Sequence, residues 1–259
     1  MTRSFIFFPD CIHSWIAFIK MDSFIYIRPT LNLTTMKIVL GLLAGFVVLT
    51  LASFLPMQKK KVVFFGDSIT QAAVKPGGYI VKIGEMAAAE KLSDRYDFIG
   101  AGIGGNKVYD LFLRMEDDVL SKRPDIVVIY IGVNDVWHKR SFGTGTDPDK
   151  FERFYTAIIK KLQAANCKLA LCTPAVIGER TDFSNELDGD LNLYSTMIRN
   201  LAKANNIPLI DLRKSFLDYN LKQNKENKES GILTTDRVHL NEKGNELVAT
   251  EMWKVLKTL

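Results

Sequence analysis

The stretch VVFFGDSIT, residues 62–70, indicates the class of fold to which the chain belongs. Four consecutive apolar residues, Val62–Phe65, end at Gly66, as expected for a short strand that is buried on both faces. Ser68 follows where the strand gives way to a turn and a helix, so its hydroxyl projects at the edge of the sheet. The free N–H groups of that helix favour anionic species at the same place. The segment therefore predicts a strand–turn–helix unit with a polar group at its turn.

Further apolar strands alternate with helices along the rest of the chain. Strands are predicted at Tyr96–Ile99, Ile126–Ile131, Leu169–Cys172 and Pro208–Ile210, and helices at residues 79–92, 108–121, 148–165, 190–205 and 241–256. Apolar strands without alternation, separated by helices, are typical of a parallel sheet that is covered on both faces. The sequence predicts an α/β fold whose ligands bind at the carboxyl ends of the strands.

The turns after the first three strands are rich in glycine and in side chains that form hydrogen bonds. These turns comprise Gly66–Ser68, Gly100–Asn106 and Gly132–Asp135. Because the carboxyl ends of parallel strands meet at one edge of a sheet, we expect the three turns to lie close together. Chance explains such a composition at one turn more readily than at three, so a functional site is predicted at this edge.

A nucleophilic serine also needs a base, and beyond residue 57 the chain holds only two histidines, His138 and His239. Asp236 lies three residues before His239, on a turn that precedes the last predicted helix. Its carboxylate can reach the imidazole Nδ1 and fix the tautomer, which leaves Nε2 to accept the proton of Ser68. A lone serine after a strand or a lone D-x-x-H is more often structural. Together at one predicted sheet edge they favour nucleophilic catalysis.

The same turns contain donors for an oxyanion that develops during acyl transfer. The backbone N–H groups of Ser68 and Gly105 and the side-chain amide of Asn134 are suitable. Just after the third turn, His138 is interpreted as a surface imidazole and Trp137 as a residue of the rim or partial core. A contact of either side chain with substrate is the alternative.

Four sequence blocks resemble those of the SGNH (GDSL-type) hydrolases and occur in the order of that family. They are Phe65–Thr70, Gly102–Gly105, Gly132–Asp135 and Asp236-x-x-His239, and the resemblance covers about residues 60–258. It implies a three-layer α/β/α sandwich with a five-stranded parallel sheet of flavodoxin-like type. It also implies a serine esterase that works through an acyl-enzyme, with no metal and no cofactor.

Carried over by position, the resemblance makes Ser68 the nucleophile, His239 the base and Asp236 the residue that orients the imidazole. It assigns the same three oxyanion donors as above, with one ambiguity. Two adjacent glycines fit the second block, so Gly104 stays open as an alternative to Gly105.

An uncharged apolar run of 20 residues, 38–57, precedes the predicted domain. It follows Met36 and Lys37, and small residues lie near its end, as in a signal sequence; its length also fits an uncleaved membrane anchor. We therefore predict that residues 1–57 are a leader, of which residues 1–35 are an upstream extension before a start at Met36.

The leader predicts export, to the periplasm or the extracellular space, with a possible membrane tether through residues 38–57. Residues 58–259 are predicted to form a single domain of the SGNH type. They hold 30 basic and 27 acidic residues, a balance that argues against a nucleic-acid partner. Cys167 and Cys172 flank a strand about 16 Å long, whereas a disulfide needs Cα atoms within about 7 Å, so they are not expected to pair.

Three alternative functions are considered. Gly100-x-Gly102-x-x-Gly105 is a literal dinucleotide-binding pattern, but it lies in the second strand–helix unit, and its acidic candidates at 116–118 precede the next strand, whereas a ribose-binding acid should follow that strand. A lysophospholipase or thioesterase that acts on lipids and a catalytically idle glycan-binding domain on the same fold stay open. The favoured prediction is a serine esterase that hydrolyses short-chain, O-acetyl esters of small molecules or glycans.

Overall fold

The structure, a computed structural model, describes residues 32–42 and 58–259. Residues 33–42 form a helix with exposed side chains. Residues 1–31 and 43–57 lie outside the described residues, so the extension, the signal sequence and the tether stay predictions. No helix in the described part of the chain is both long and apolar enough to cross a membrane.

Five parallel strands form one sheet with the order β2-β1-β3-β4-β5. Their bounds are β1 Lys60–Gly66, β2 Tyr96–Gly102, β3 Ile126–Tyr130, β4 Lys168–Cys172 and β5 Leu209–Ile210. All five predicted strands are confirmed, and the order is that of flavodoxin-like sheets. In such a sheet the chain turns in opposite directions after β1 and β3, which opens a crevice at their carboxyl ends.

Eight α-helices surround the sheet in the described part of the chain. They are α1 Ser68–Ala72, α2 Tyr79–Ala89, α3 Val108–Asp118, α4 Val133–Ser141, α5 Pro148–Ala164, α6 Asp188–Ala204, α7 Leu212–Gln223 and α8 Glu242–Leu256. Helices α2 and α8 pack on each other, and α3, α5 and α6 form a second row. The central strands between the two rows are buried along almost their whole length, which confirms the predicted α/β sandwich.

Helices α4 and α7 lie where the apolar pattern predicts no helix. Both are rich in charged and polar residues, so neither shows the regular apolar stripe on which sequence prediction depends. Local polar contacts start α7, because the carboxylate of Asp211 accepts a hydrogen bond from the Lys214 N–H. Helix α4 begins directly after the glycine turn of β3 and places Asn134 in its first turn.

Close packing between β2 and α1 holds the helix that begins with Ser68. A Cβ atom at Gly102 would lie 2.1 Å from the backbone nitrogen of Gln71 and 2.5 Å from the carbonyl carbon of Thr70. Both atoms belong to the backbone of α1, so no rotamer change relieves the clash. Only glycine at the end of β2 allows this approach.

We expect Gly102→Ala to destabilise the protein and to displace α1. Overpacking of this kind costs about 1–3 kcal/mol, which lowers Tm by roughly 3–10 °C in a domain of this size. Gly84→Ala is the matched control, since Gly84 lies inside α2 and the nearest atom to its Cβ would be Phe98 Cδ2 at 4.0 Å. Alanine there removes the helix cost of glycine, so Tm stays or rises. Calorimetry of both variants checks this; a wild-type Tm for Gly102→Ala contradicts it.

Candidate active site

A chain of two hydrogen bonds connects Ser68, His239 and Asp236 at the carboxyl edge of the sheet. Ser68 Oγ lies 2.9 Å from His239 Nε2, and His239 Nδ1 lies 2.7 Å from Asp236 Oδ2. These are the three residues that the sequence predicts as nucleophile, base and orienting acid, and the structure brings them into contact, while their roles stay a prediction. With Nδ1 protonated towards the carboxylate, Nε2 is free to accept the proton of the serine.

Ser68 occupies the first position of α1, directly after the end of β1. Asp67 caps this helix, since its Oδ1 accepts a hydrogen bond of 3.0 Å from the Ile69 N–H. Burial raises the pKa of Asp67 to about 6, and the Ile69 N–H and the nearby His239 offset only part of that effect. The cap fixes the backbone on both sides of Ser68.

Asp236 and His239 lie on the loop that precedes α8, where a turn around one carboxylate sets their geometry. Asp236 Oδ1 accepts hydrogen bonds from the N–H groups of Val238, at 3.2 Å, and His239, at 2.8 Å. Arg237, which follows Asp236 directly, adopts φ +83°, a left-handed conformation that costs energy for a residue with a side chain. Partial burial raises the pKa of Asp236, but the hydrogen bonds from His239 and Val238 and the charge of His239 together lower it by more, so this pKa lies below its ordinary value.

The turn after β2 supplies the candidate oxyanion donor, and its hydrogen bonds distinguish the two adjacent glycines. A Cβ at Gly104 would lie 3.9 Å from Ser68 Cβ, so the turn lies against the nucleophile. The Gly104 N–H donates to Gln71 Oε1 at 3.0 Å. The Gly105 N–H, at φ +76°, donates to no group in the part of the chain that the structure describes. The geometry favours Gly105 as the donor.

Asn134, the third candidate donor, is buried at the start of α4. Its Nδ2 donates to the carbonyl oxygen of Asn106 at 3.1 Å, which uses one of its two N–H bonds and joins α4 to the turn after β2. The second N–H bond of the amide remains for a developing oxyanion.

Two cationic side chains that the sequence motifs do not indicate hold the turn after β2. Lys107 Nζ donates to the carbonyl oxygen of Gly105 at 3.0 Å. Arg114 donates from Nε to Asn106 Oδ1 at 2.6 Å and from Nη2 to the carbonyl oxygen of Gly66 at 2.7 Å. Because Arg114 lies on α3, no spacing rule connects it with the turns. The only sign of this role in the sequence is an arginine in the middle of a predicted helix, with apolar residues among its neighbours.

Asp135 is fully buried beneath these turns. Its Oδ1 accepts a hydrogen bond of 3.1 Å from the Val108 N–H at the start of α3. Oδ2 has no partner among the described residues, although the hydroxyl of Thr146 approaches it. Burial raises the pKa of Asp135 to about 7; Thr146 and the Val108 N–H lower it only in part. The Asp135 carboxyl therefore joins α3 to α4, and its burial lowers the free energy of unfolding near neutral pH.

His138 lies nearer to the site than its interpretation as a surface imidazole implies. Its Cε1 would be 3.9 Å from a Cβ at Gly105, so the ring borders the candidate oxyanion turn. Burial and, secondly, the charge of Lys107 lower the pKa of His138. Trp137 is partly buried against the core, as the sequence predicts for a rim residue.

Other features of the described residues lie away from these groups. A cavity of about 610 Å³ lies at the amino ends of the strands, lined in part by Lys60, Asp125 and Lys168, at the opposite edge from Ser68. Cys167 and Cys172 are both buried and free. Residues 32–42 and 58–259 contain no group of three or more His, Cys, Asp or Glu side chains that could hold a metal ion.

Comparison with known proteins gives a match to one protein family. The profile of the GDSL-like Lipase/Acylhydrolase family matches residues 64–247, which include all the residues of the candidate site. The chain is also similar to a solved acetyl xylan esterase, AlAXEase, at 65% sequence identity and a TM-score of 0.75. That likeness covers 76% of this chain and 99% of the esterase.

Two curated proteins are more distant relatives. The chain is 26% identical over 206 residues to an acetylxylan esterase of Geobacillus stearothermophilus, covering 73% of this chain and 90% of that protein. It is 25% identical over 207 residues to the uncharacterized lipoprotein YqeF of Bacillus subtilis, covering 72% and 85% respectively.

The raised pKa of Asp135 predicts a pH-dependent loss of stability. Because the folded protein keeps this proton to a higher pH than the unfolded chain, the free energy of unfolding falls as pH rises from about 4 to about 7. Asp135→Asn removes the effect. The Tm of the variant minus the Tm of the wild type should therefore be larger at pH 8 than at pH 5, by at least about 3 °C.

Asp147→Asn is the control for this measurement. Hydrogen bonds from Lys139 and Lys150 lower the pKa of the exposed Asp147, so its titration lies below that pH window. Its Tm difference from the wild type is expected to be the same at both pH values. If the two variants behave alike, the buried carboxyl of Asp135 is not the cause.

Proposed function

We propose that this chain, which belongs to the GDSL-like lipase/acylhydrolase family, removes acetyl groups from acetylated xylan and its oligosaccharides. The family predicted from the four sequence blocks is confirmed, and the chain is a carboxylic ester hydrolase. The observation that carries the proposal is the pair of hydrogen bonds from Ser68 through His239 to Asp236 in a chain 65% identical to an acetyl xylan esterase.

In the proposed mechanism, His239 Nε2 takes the proton of Ser68 as Oγ attacks the ester carbonyl carbon. The 2.9 Å contact between these atoms supports direct transfer. Asp236 stabilises the imidazolium that forms. As the bond between the carbonyl carbon and the sugar oxygen breaks, the imidazolium protonates that oxygen, so the sugar leaves with a free hydroxyl and the acetyl group stays on Ser68. Water, activated by the same imidazole, hydrolyses this acetyl-enzyme and releases acetate.

The negative charge of each tetrahedral intermediate falls on the former carbonyl oxygen. Three N–H groups are proposed to receive it: the backbone amides of Ser68 and Gly105 and the side-chain amide of Asn134. The engagement of the Gly104 amide by Gln71 supports Gly105 in this role. Donors fixed before the reaction act strongly because they need not reorient as charge develops.

The surroundings of the nucleophile support a short acyl group. Around Ser68 and the candidate oxyanion turn, the polar side chains of Gln71, Asn134 and His138 lie beside one exposed apolar residue of the turn, Ile103. A long acyl chain gains affinity from apolar contact, about 0.8 kcal/mol for each buried CH₂ group. The polar neighbours supply little of that contact, whereas acetyl needs little of it.

We expect the wild type to release acetate from acetylated xylooligosaccharides and to prefer p-nitrophenyl acetate over the octanoate by at least about tenfold in kcat/KM. Ser68→Ala should lower kcat by at least about 10³-fold. Ser93→Ala, at an exposed loop position, is the control and keeps full activity. Lysophospholipid and long-chain thioester substrates form a second arm. Preference for them overturns the proposed substrate, and activity that survives Ser68→Ala overturns the mechanism.

We also infer that residues 1–57 direct export and that residues 58–259 form the hydrolase domain. The similarity to a lipoprotein of Bacillus subtilis supports this inference. Mass spectrometry of the exported protein tests the boundary. A mature end between residues 50 and 58 supports a cleaved signal, an end at Met36 supports a tether, and retention of residues 1–35 contradicts a start at Met36.

A further inference from the structure

Glu179 is an acidic side chain at the end of a buried segment that follows β4. The whole segment from Thr173 to Glu179 is buried, and Glu179 is only 1% exposed. No lysine or arginine forms an ion pair with it among residues 32–42 and 58–259. A buried carboxylate without a cation costs far more free energy than an apolar side chain of the same size, so its presence requires a compensating interaction.

Three consecutive backbone N–H groups supply that interaction. Glu179 Oε1 accepts from Leu233 at 2.6 Å and from Thr234 at 2.8 Å, and Oε2 accepts from Ile232 at 2.8 Å. Both carboxylate oxygens are thus used, and all three donors belong to one stretch of the loop before α8. Thr234 lies two residues before Asp236 and five before His239.

The loop from Gly231 to Asn241 has little regular structure of its own to hold this geometry. Its internal backbone contacts are an isolated bridge between Thr234 and Leu240 and three hydrogen bonds, from the N–H groups of residues 231, 235 and 241 to the carbonyl oxygens of residues 234, 239 and 233. Arg237, between the two candidate catalytic residues, is in the left-handed region. Residues 235–237 around this strained position are exposed, so contacts with neighbouring structure are needed to keep the loop in one conformation.

The segment after β4 imposes that conformation through further hydrogen bonds. The Gly178 N–H donates to the carbonyl oxygen of Arg237 at 2.9 Å, and the Glu179 N–H donates to that of Glu229 at 3.0 Å. Asn224 Nδ2 also holds the backbone of Glu179, because it donates to the Glu179 carbonyl oxygen at 2.8 Å. The buried segment after β4 therefore contacts the loop on both sides of Asp236.

We infer that Glu179 is a positioning residue, whose carboxylate holds the loop so that His239 Nε2 lies within hydrogen-bonding distance of Ser68 Oγ. The catalytic part of this inference rests on the proposed function. Glu179 touches neither substrate nor the reacting atoms, so its effect on the reaction passes through the backbone of residues 232–234. A displacement of a catalytic group by about 1 Å can lower the rate by about 100-fold.

Glu179→Gln separates hydrogen bonding from volume, because the two side chains have nearly the same shape. The amide offers one acceptor oxygen, and its NH₂ group would face a backbone N–H, so at least one of the three hydrogen bonds is lost. Asp211→Asn is the matched control. Asp211 also accepts hydrogen bonds at the end of a strand, from Thr173, Lys214 and Arg199, but forms no hydrogen bond with the described residues of the loop before α8.

The experiment combines kinetics with hydrogen–deuterium exchange on both variants, below their measured Tm. For Glu179→Gln we expect kcat for p-nitrophenyl acetate to fall about 10- to 100-fold with KM within about threefold of the wild type. The amides of residues 232–234 should exchange at least about tenfold faster. Asp211→Asn should keep both kcat and the exchange of these amides, whatever it loses in Tm.

A wild-type kcat in folded Glu179→Gln overturns the inference, as does an equal fall of kcat in Asp211→Asn at the same loss of Tm. If Glu179→Gln does not fold, Glu179→Asp is measured in its place, because aspartate keeps the negative charge but its side chain is one CH₂ group shorter. A wild-type kcat and wild-type exchange rates in Glu179→Asp also overturn the inference. Absence of Ser68-dependent activity in the wild type counts against the proposed function alone. The exchange rates then still decide whether Glu179 holds the loop.

Discussion

The hydrogen bond between Ser68 Oγ and His239 Nε2 joins residues that are 171 positions apart in the chain. Ser68 is held from the first strand, through the cap of α1, whereas His239 comes from a loop just before the last helix. Between them the chain builds the rest of the parallel sheet. The site is therefore a product of the whole domain, since an error at either edge of the sandwich separates the two atoms. A contact of 2.9 Å leaves little tolerance for such an error, because hydrogen bonds weaken steeply with distance and angle.

Polar groups that are wholly or partly buried beneath the site provide the required precision. Arg114 fastens the ends of β1 and β2 to the turn of Gly105, Asp135 connects α3 to α4, and Glu179 connects the segment after β4 to the loop of His239. Each is a charged or titratable group whose removal from water costs free energy. Proteins commonly accept such losses of stability at functional sites, where a defined geometry matters more than the free energy of unfolding. The raised pKa of Asp135 is the visible sign of that cost.

Sequence alone predicts the sheet and the three central residues but not the groups that hold them. Apolar runs without alternation mark the strands, and the short D-x-x-H spacing keeps Asp236 and His239 within one turn. The choice between Gly104 and Gly105 depends on the Gln71 side chain, 33 positions away from Gly104, which no local pattern indicates. Glu179 contacts amides more than 50 positions further along the chain. Helices α4 and α7 lack an apolar stripe, so their packing becomes evident only in three dimensions.

The central claim is that Ser68 and His239 act as one unit, and a double-mutant cycle of kcat tests it most directly. Ser68→Ala, His239→Ala and the double variant are compared with the wild type on p-nitrophenyl acetate, each confirmed as folded by its Tm. Once either partner is absent, the other has nothing left to contribute. The account therefore predicts that each single change lowers kcat by at least about 10³-fold and that the double variant is no slower than about the slower single one. Losses that multiply in the double variant would contradict it.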